Sequence, residues 1–237
     1  MVFQSDVRYT SAKELALAAG YTVGYSRLFD IRRSVLGRWL ASKPPALMVD
    51  GVLFTHGGIS TDYLGWSLEA LRDTLGVLLR SNFFYAAGDP LATPPTDTSR
   101  ARRIDEFING DRSIFWYRGY VESDTLAQAL SLVQRHFGAR ALVVGHTPVR
   151  AIQLRYGGWL VATNTEPYAE LLLITRQGTT LQGWRYRAAG PPERLGPIGA
   201  RPGAWRCLPS TTRPCARPPA EGALSARPPR PSTARRP

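Results

Sequence analysis

Apolar positions along this chain follow two rhythms. Residues 47–55, LMVDGVLFT, form a mostly apolar run that stops at His56 and two glycines. A short run of this kind, bounded by turn residues, is expected as a buried strand. After Thr61 the leucines recur at 64, 68, 71, 75 and 78, a spacing of four and three that puts them on one face of an amphipathic helix. Residues 88–100, GDPLATPPTDTSR, break both rhythms and predict a loop. A second helix is expected from Asp124 to Phe137. Asp124 or Ser123 would cap it, Leu126, Leu130, Val133 and Phe137 would form its buried stripe, and Gly138 would end it. ARALVVGHTP is then a β-branched strand that, like the first, terminates in histidine. VRAIQLRY and WLVATNT around Gly157-Gly158, and ELLLIT and TTLQGWRYR around RQG, read as two hairpins. The order of strand, helix, loop, helix, strand and two hairpins predicts a mixed α/β body with antiparallel sheet late in the chain.

Composition alters this picture mainly at the end of the chain. The net charge of +12 over 237 residues raises the question of nucleic acid, but nine arginines against two glutamates place +7 of it beyond residue 189. The same stretch holds twelve of the nineteen prolines. A Pro- and Arg-rich segment with little apolar periodicity cannot bury enough surface to offset its chain entropy. Residues 190–237 are therefore expected to be a disordered tail on a body of residues 1–189. Three readings of that tail stay open: a bland extension, a basic arm contacting RNA or acidic partners, or an out-of-frame translation. The body itself, at +5, gives no footing for nucleic-acid binding. No apolar run approaches the ~18 residues that span a bilayer, and MVFQSDVRYTSAKE shows no secretory leader. Both cysteines, Cys207 and Cys215, lie in the tail. A cytoplasmic protein without a membrane partner is the expectation.

Candidate chemistry rests on the strand tips. The chain has three histidines. His56 follows VLFT and precedes Gly57-Gly58; His146 follows LVVG and precedes Thr147-Pro148. α/β folds place ligands where buried strands emerge, glycine lets backbone and substrate come close, and neutral imidazole is the commonest metal ligand. Taken singly, a histidine at a strand end is ordinarily a turn or surface residue. His136 belongs to that class: it falls in the last turn of a helix, where a partly positive ring suits the macrodipole. Matching contexts single out the other two, although ninety residues of separation alone decide nothing.

The phrases LFTHGGIS and VVGHTPV resemble two late motifs of the calcineurin-like metallophosphoesterases, and SIFWYRGY at 113–120 resembles the W-x-R-x-Y segment of the bacterial Shewanella-like protein phosphatases. The resemblance implies a β-sandwich flanked by helices and a two-metal centre of Mn, Fe or Zn, in which His56 and His146 are ligands of the second metal. It implies that Arg118 grips the substrate phosphate, a task for which a permanently charged planar fork is suited. The implied substrates are phosphomonoesters on protein Ser, Thr or Tyr, or on small molecules. A Trp-Tyr-Arg cluster packing on its own is the bland alternative for the third segment.

The family's GDxHG, GDxxDRG and GNHE segments do not occur in this chain, and MVFQSDVRYTS resembles the stretch that follows GNHE. The chain is thus expected to be the C-terminal portion of such a domain, with little or no activity of its own. Other carboxylates are poor substitutes. Asp50, six residues before His56 on the same expected strand, would lie about 20 Å away at ~3.3 Å per residue. Asp6, Asp62 and Asp105 are expected in loops or helix starts, as caps. Asn164 and Glu166 are expected to support the site sterically or by hydrogen bonds. VLFTH and ALVVGH should be left partly uncovered. The rival reading is a non-catalytic remnant that uses its basic tail to bind acidic partners or RNA.

Overall fold

The apolar run at 47–55 is two strands. Ala46–Val49 (β1) and Val52–Thr55 (β2) pair antiparallel with Val49 opposite Val52. Asp50 and Gly51 turn the chain at φ of 53° and 77°, the all-positive pair that a two-residue type I′ hairpin needs. Asp-Gly is a strong signal for that turn, but apolar residues crowd both sides of it and hide the break. In this computed structural model the described residues are 11–20, 26–31, 33–82, 98–165 and 170–199.

β2 lies parallel to Ala141–Val144 (β3), which lies parallel to Leu160–Ala162 (β5); Gln153–Arg155 (β4) returns antiparallel to β5. The sheet order is β1-β2-β3-β5-β4. Glu170–Gln177 (β6), Thr180–Arg187 (β7) and Glu193–Ile198 (β8) form a second, antiparallel sheet in that order. Side chains of the central strands alternate between two cores, as strand geometry requires. Leu53, Leu142, Val144, Leu160 and Ala162 face a helix-side core containing Leu71, Leu75, Leu130 and Val133. Val52, Ala141, Val143 and Val161 face Leu181 and Ile198 of the second sheet. The result is a mixed α/β sandwich flanked by helices on one side.

The helices follow from their caps and stripes. Ser67 caps Leu68–Asn82 (α3 in chain order), accepting the Ala70 N–H at 3.0 Å, and Leu71 and Leu75 are buried as the spacing predicts. Leu64 belongs instead to the turn after Thr61–Tyr63. Ala127–Phe137 (α6) ends at Gly138 with φ 67°, the left-handed residue that closes many helices. Its expected caps serve elsewhere. Ser123 accepts from the Thr125 N–H at 3.2 Å, and Asp124 pairs with Arg155 at 2.5 Å.

Four helices escaped the periodicity. Ala12–Ala19 (α1) starts with a reciprocal capping box of Ser11 and Glu14, and Val35–Ala41 (α2) starts at Ser34. Both leave large apolar side chains exposed, Leu17, Val35 and Trp39 among them, which blurs the stripe. Thr98–Asn109 (α4) begins inside the expected loop, of which 88–97 lies outside the described residues. Gly119–Glu122 (α5) is a single turn.

Two expectations are corrected. The body does not stop at residue 189, because β8 pairs with β7 and buries Ile198. ERLGPI hides this strand behind a glycine and a proline; Pro197 is tolerated because β8 is an edge strand, where a missing N–H leaves no ladder partner orphaned. Residues 200–237 lie outside the described residues. Nor are the central strands under-covered: Val52, Leu53, Ala141, Leu142 and Val144 are each at most 2% exposed. Helices and second sheet cover their two faces, and burying each leucine contributes about 2 kcal/mol. Among the described residues no helix is long and apolar enough to cross a membrane.

Candidate metal centre at the strand tips

Parallel pairing of β2 and β3, with Thr55 opposite Val144, carries His56 and His146 to the same end of the sheet. Their ring centroids lie 5.2 Å apart, with planes tilted by 54°. The backbones meet as well: the Gly145 N–H donates to the His56 carbonyl at 2.7 Å. A Cβ at Gly145 would sit 3.3 Å from that oxygen, so glycine keeps the two tips close.

His146 stands in a strained conformation. Its φ is 57°, and the Thr147 N–H donates across it to the Gly145 carbonyl at 2.6 Å. That is a γ-turn of the rare positive-φ kind, and such a residue costs about 1–3 kcal/mol unless its surroundings hold it. Asn164 donates from Nδ2 to the His146 carbonyl at 2.9 Å, and its own main-chain carbonyl accepts the Val149 N–H at 2.8 Å. Trp116 presents its ring to His146 at 4.9 Å and 82°, edge to face.

The glycines after His56 also have a reason. Segment 113–117 runs directly over them, and the N–H groups of Gly57 and Gly58 both donate to the Ile114 carbonyl, at 2.7 and 3.2 Å. A Cβ on Gly57 would lie 2.9 Å from the Phe115 carbonyl and the Tyr117 nitrogen. Further bonds hold the two segments together: Ser60 donates to the Arg112 carbonyl at 3.2 Å, and the buried Tyr120 hydroxyl donates to the Ile59 carbonyl at 3.0 Å. Arg112 grips Asp62 bidentately, donating from Nε and Nη2 to its two carboxylate oxygens. The segment carrying Trp116 and Arg118 is therefore fixed to the loop carrying His56.

Electrostatics favour neutral imidazoles. Burial lowers the His56 pKa. His146 is pushed down to about 4, first by burial, then by the positive charges of Arg118 and of a protonated His56. Arg118, at the start of α5, thus stands within electrostatic reach of His146. The His146 Nε2 atom is buried and makes no hydrogen bond among the described residues. Two uncharged nitrogen donors side by side, one without a partner, suit Mn, Fe or Zn. They fit half of a metal site.

The carboxylates go elsewhere. Asp50 turns the β1–β2 hairpin at the opposite end of β2 and pairs with Arg176 at 2.6 Å; it is not on the strand of His56. Asp62 is held by Arg112. Asp105 lies within α4, neither a loop nor a helix start, and accepts from Asn109 at 2.6 Å. Asp6 and Glu166 lie outside the described residues. Among the described residues no three His, Cys, Asp or Glu side chains gather as a metal-binding group. His136 bonds through Nε2 to the Trp66 carbonyl at 2.7 Å, away from the pair.

The same arrangement of elements occurs in solved phosphatases. The cold-active protein-tyrosine phosphatase of a psychrophilic Shewanella species superposes with a TM-score of 0.64 at 24% identity, over 82% of this chain and 55% of that one. A mutant cold-active protein tyrosine phosphatase gives 0.63 at 26% over the same shares. A further cold-active protein tyrosine phosphatase structure gives 0.64 at 25%, over 82% and 54%. The chain has a phosphatase-like fold. It spans about half the length of the solved structures it matches. No family model matches the sequence, and no curated protein matches it.

Asn164 supports the site by a hydrogen bond, as the sequence suggested; the ring contact of Trp116 and the strain on His146 were missed. Trp116 was visible only as one letter of a motif, and the strain on His146 had no signal, because Gly145 beside it is the residue that ordinarily takes a positive φ.

Proposed function

We propose that the tips of β2 and β3 form the second-metal half of a two-metal phosphoesterase centre, of the kind that hydrolyses phosphomonoesters on proteins or small molecules. The observation that carries this reading is the 5.2 Å approach of the two imidazoles, with the His146 Nε2 atom buried and unpartnered. His56 and His146 would hold the ion through neutral nitrogens. A divalent cation there supplies Lewis acidity toward a phosphoryl oxygen. Arg118 binds the phosphoryl oxygens through its planar fork. Trp116 packs against the His146 ring.

The resemblance also calls for first-metal carboxylates, a bridging aspartate and a general-acid histidine. No described side chain beside the imidazole pair plays those parts. Residues 1–237 alone are therefore proposed to turn over phosphomonoesters slowly or not at all. The test is p-nitrophenyl phosphate hydrolysis with added Mn²⁺, in the wild-type chain and in His146→Ala and Arg118→Ala. Rates near the metal-alone background are expected for all three. Strong Mn²⁺-dependent turnover that His146→Ala abolishes would keep the site assignment and refute the claim that the chain is catalytically incomplete.

A further inference from the structure

The strained turn at His146 needs an agent that holds it, and the structure names one. Asn164 bridges two stretches of the 146–149 loop: its side-chain N–H reaches the His146 carbonyl, and its main-chain carbonyl takes the Val149 N–H. Asn164 follows β5 and Thr163, whose N–H and hydroxyl both bind the Val144 carbonyl at 2.9 Å, just before the turn. The end of one central strand is thereby bonded to the loop leaving its neighbour on both sides of the histidine. The Asn164 amide reaches the His146 carbonyl directly. Without that donor only the γ-turn bond from the Thr147 N–H restrains the peptide after His146, and a histidine released from positive φ relaxes toward the ordinary β or α regions.

We infer that Asn164 is a positioning residue for His146, holding the strained peptide so that the ring faces His56. It does not touch the ion or the substrate. Its work is done on the histidine's backbone, in the way outer-shell partners orient metal ligands in general. The inference rests on the imidazole-pair reading above and adds to it the residue that sets the pair's geometry.

The full chain titrated with Co²⁺, followed by the visible absorption of the bound ion, tests both. Asn164→Asp keeps the shape but deletes the donor, and Asn164→Ala deletes the whole amide; each retains the main-chain carbonyl that serves Val149. Loss of outer-shell partners weakens metal binding by roughly 10- to 100-fold, so both variants should raise the Co²⁺ Kd at least about tenfold and change the band shape. Circular dichroism and Tm should show them folded. Wild-type affinity and spectrum in either folded variant, with His146→Ala abolishing binding, would overturn the inference and leave the imidazole pair standing. Absence of Co²⁺ binding to the wild type, or indifference to His146→Ala, would overturn both. Failure of both Asn164 variants to fold would assign the residue to the fold rather than to the ring, and would also overturn it.

Discussion

Two regions of this molecule bury polar groups, and they treat them in opposite ways. On the second sheet, the Glu170 side chain is 3% exposed, yet it accepts the Ile152 N–H at 2.7 Å and the Arg187 Nε at 2.9 Å. Arg185 stands 3.9 Å from it, donates to the Ile152 carbonyl at 3.2 Å and pairs with Glu193. Of these atoms only the Arg185 Nε lacks a hydrogen bond. At the strand tips, by contrast, the His146 Nε2 and the hydroxyls of Thr55 and Thr147 are buried without partners, and His146 itself is strained. A buried polar group left unmatched costs about 1–3 kcal/mol. The first region is matched within the chain and holds sheet to loop. In the second, these three atoms find no partner among the described residues, and buried groups left so call for an explanation.

The largest way to break that contrast is to unmatch the matched region. Glu170→Ala orphans the Ile152 N–H and leaves the 11%-exposed Arg185 with only the Ile152 carbonyl and the outer Glu193 as partners. It should cost about 3 kcal/mol in urea unfolding while leaving the imidazole pair in place. A loss below about 1 kcal/mol would mean the cluster contributes little. Next is Gly57→Ala, whose Cβ would press on the Phe115 carbonyl and Tyr117 nitrogen. It should cost about 2 kcal/mol and, unlike the first, should displace Trp116 from His146, seen as altered tryptophan fluorescence.

Acid sharpens the comparison further. Burial pushes the Glu170 carboxyl up, but the Ile152 N–H, the Arg187 fork and the Arg185 charge outweigh it and hold it below the ordinary value of 4.5. A depressed carboxyl stabilises the fold fully above its unfolded value and loses that contribution as pH falls through its folded one. Wild-type Tm should therefore drop more steeply than that of Glu170→Gln below about pH 4.5, and equal slopes would count against the cluster. The smallest effect has the opposite sign. His146→Gly removes a side chain from a positive-φ position and should raise stability by about 1 kcal/mol. A loss of stability would show that the ring, not a ligand, is what the turn is built for.

How much of this was legible beforehand depended on range. The α6 stop at Gly138 and the Leu71–Leu75 face could be read because caps and helical spacing are local. β8 could not, because Pro197 and Gly196 look like loop until the edge of a sheet gives them a place. The Asp50-Gly51 turn was local too, and was hidden only by apolar neighbours on either side. At the site, the two histidines could be paired from matching motifs, but their meeting depends on β2 and β3 lying parallel, a contact across more than eighty residues that no spacing reveals. Asn164 could be placed as a support of the site, but its bond to the His146 carbonyl, the Trp116 contact and the γ-turn depend on tertiary geometry alone.

The central claim is that His56 and His146 bind one ion together. The chain's three histidines make it directly measurable by imidazole ¹H–¹⁵N NMR during a Zn²⁺ titration of the intact protein. The account predicts that the His56 and His146 signals move together and reach their end points at one ion per chain, while His136, bonded to the Trp66 carbonyl, stays put. Independent shifts of His56 and His146, or none, would contradict it.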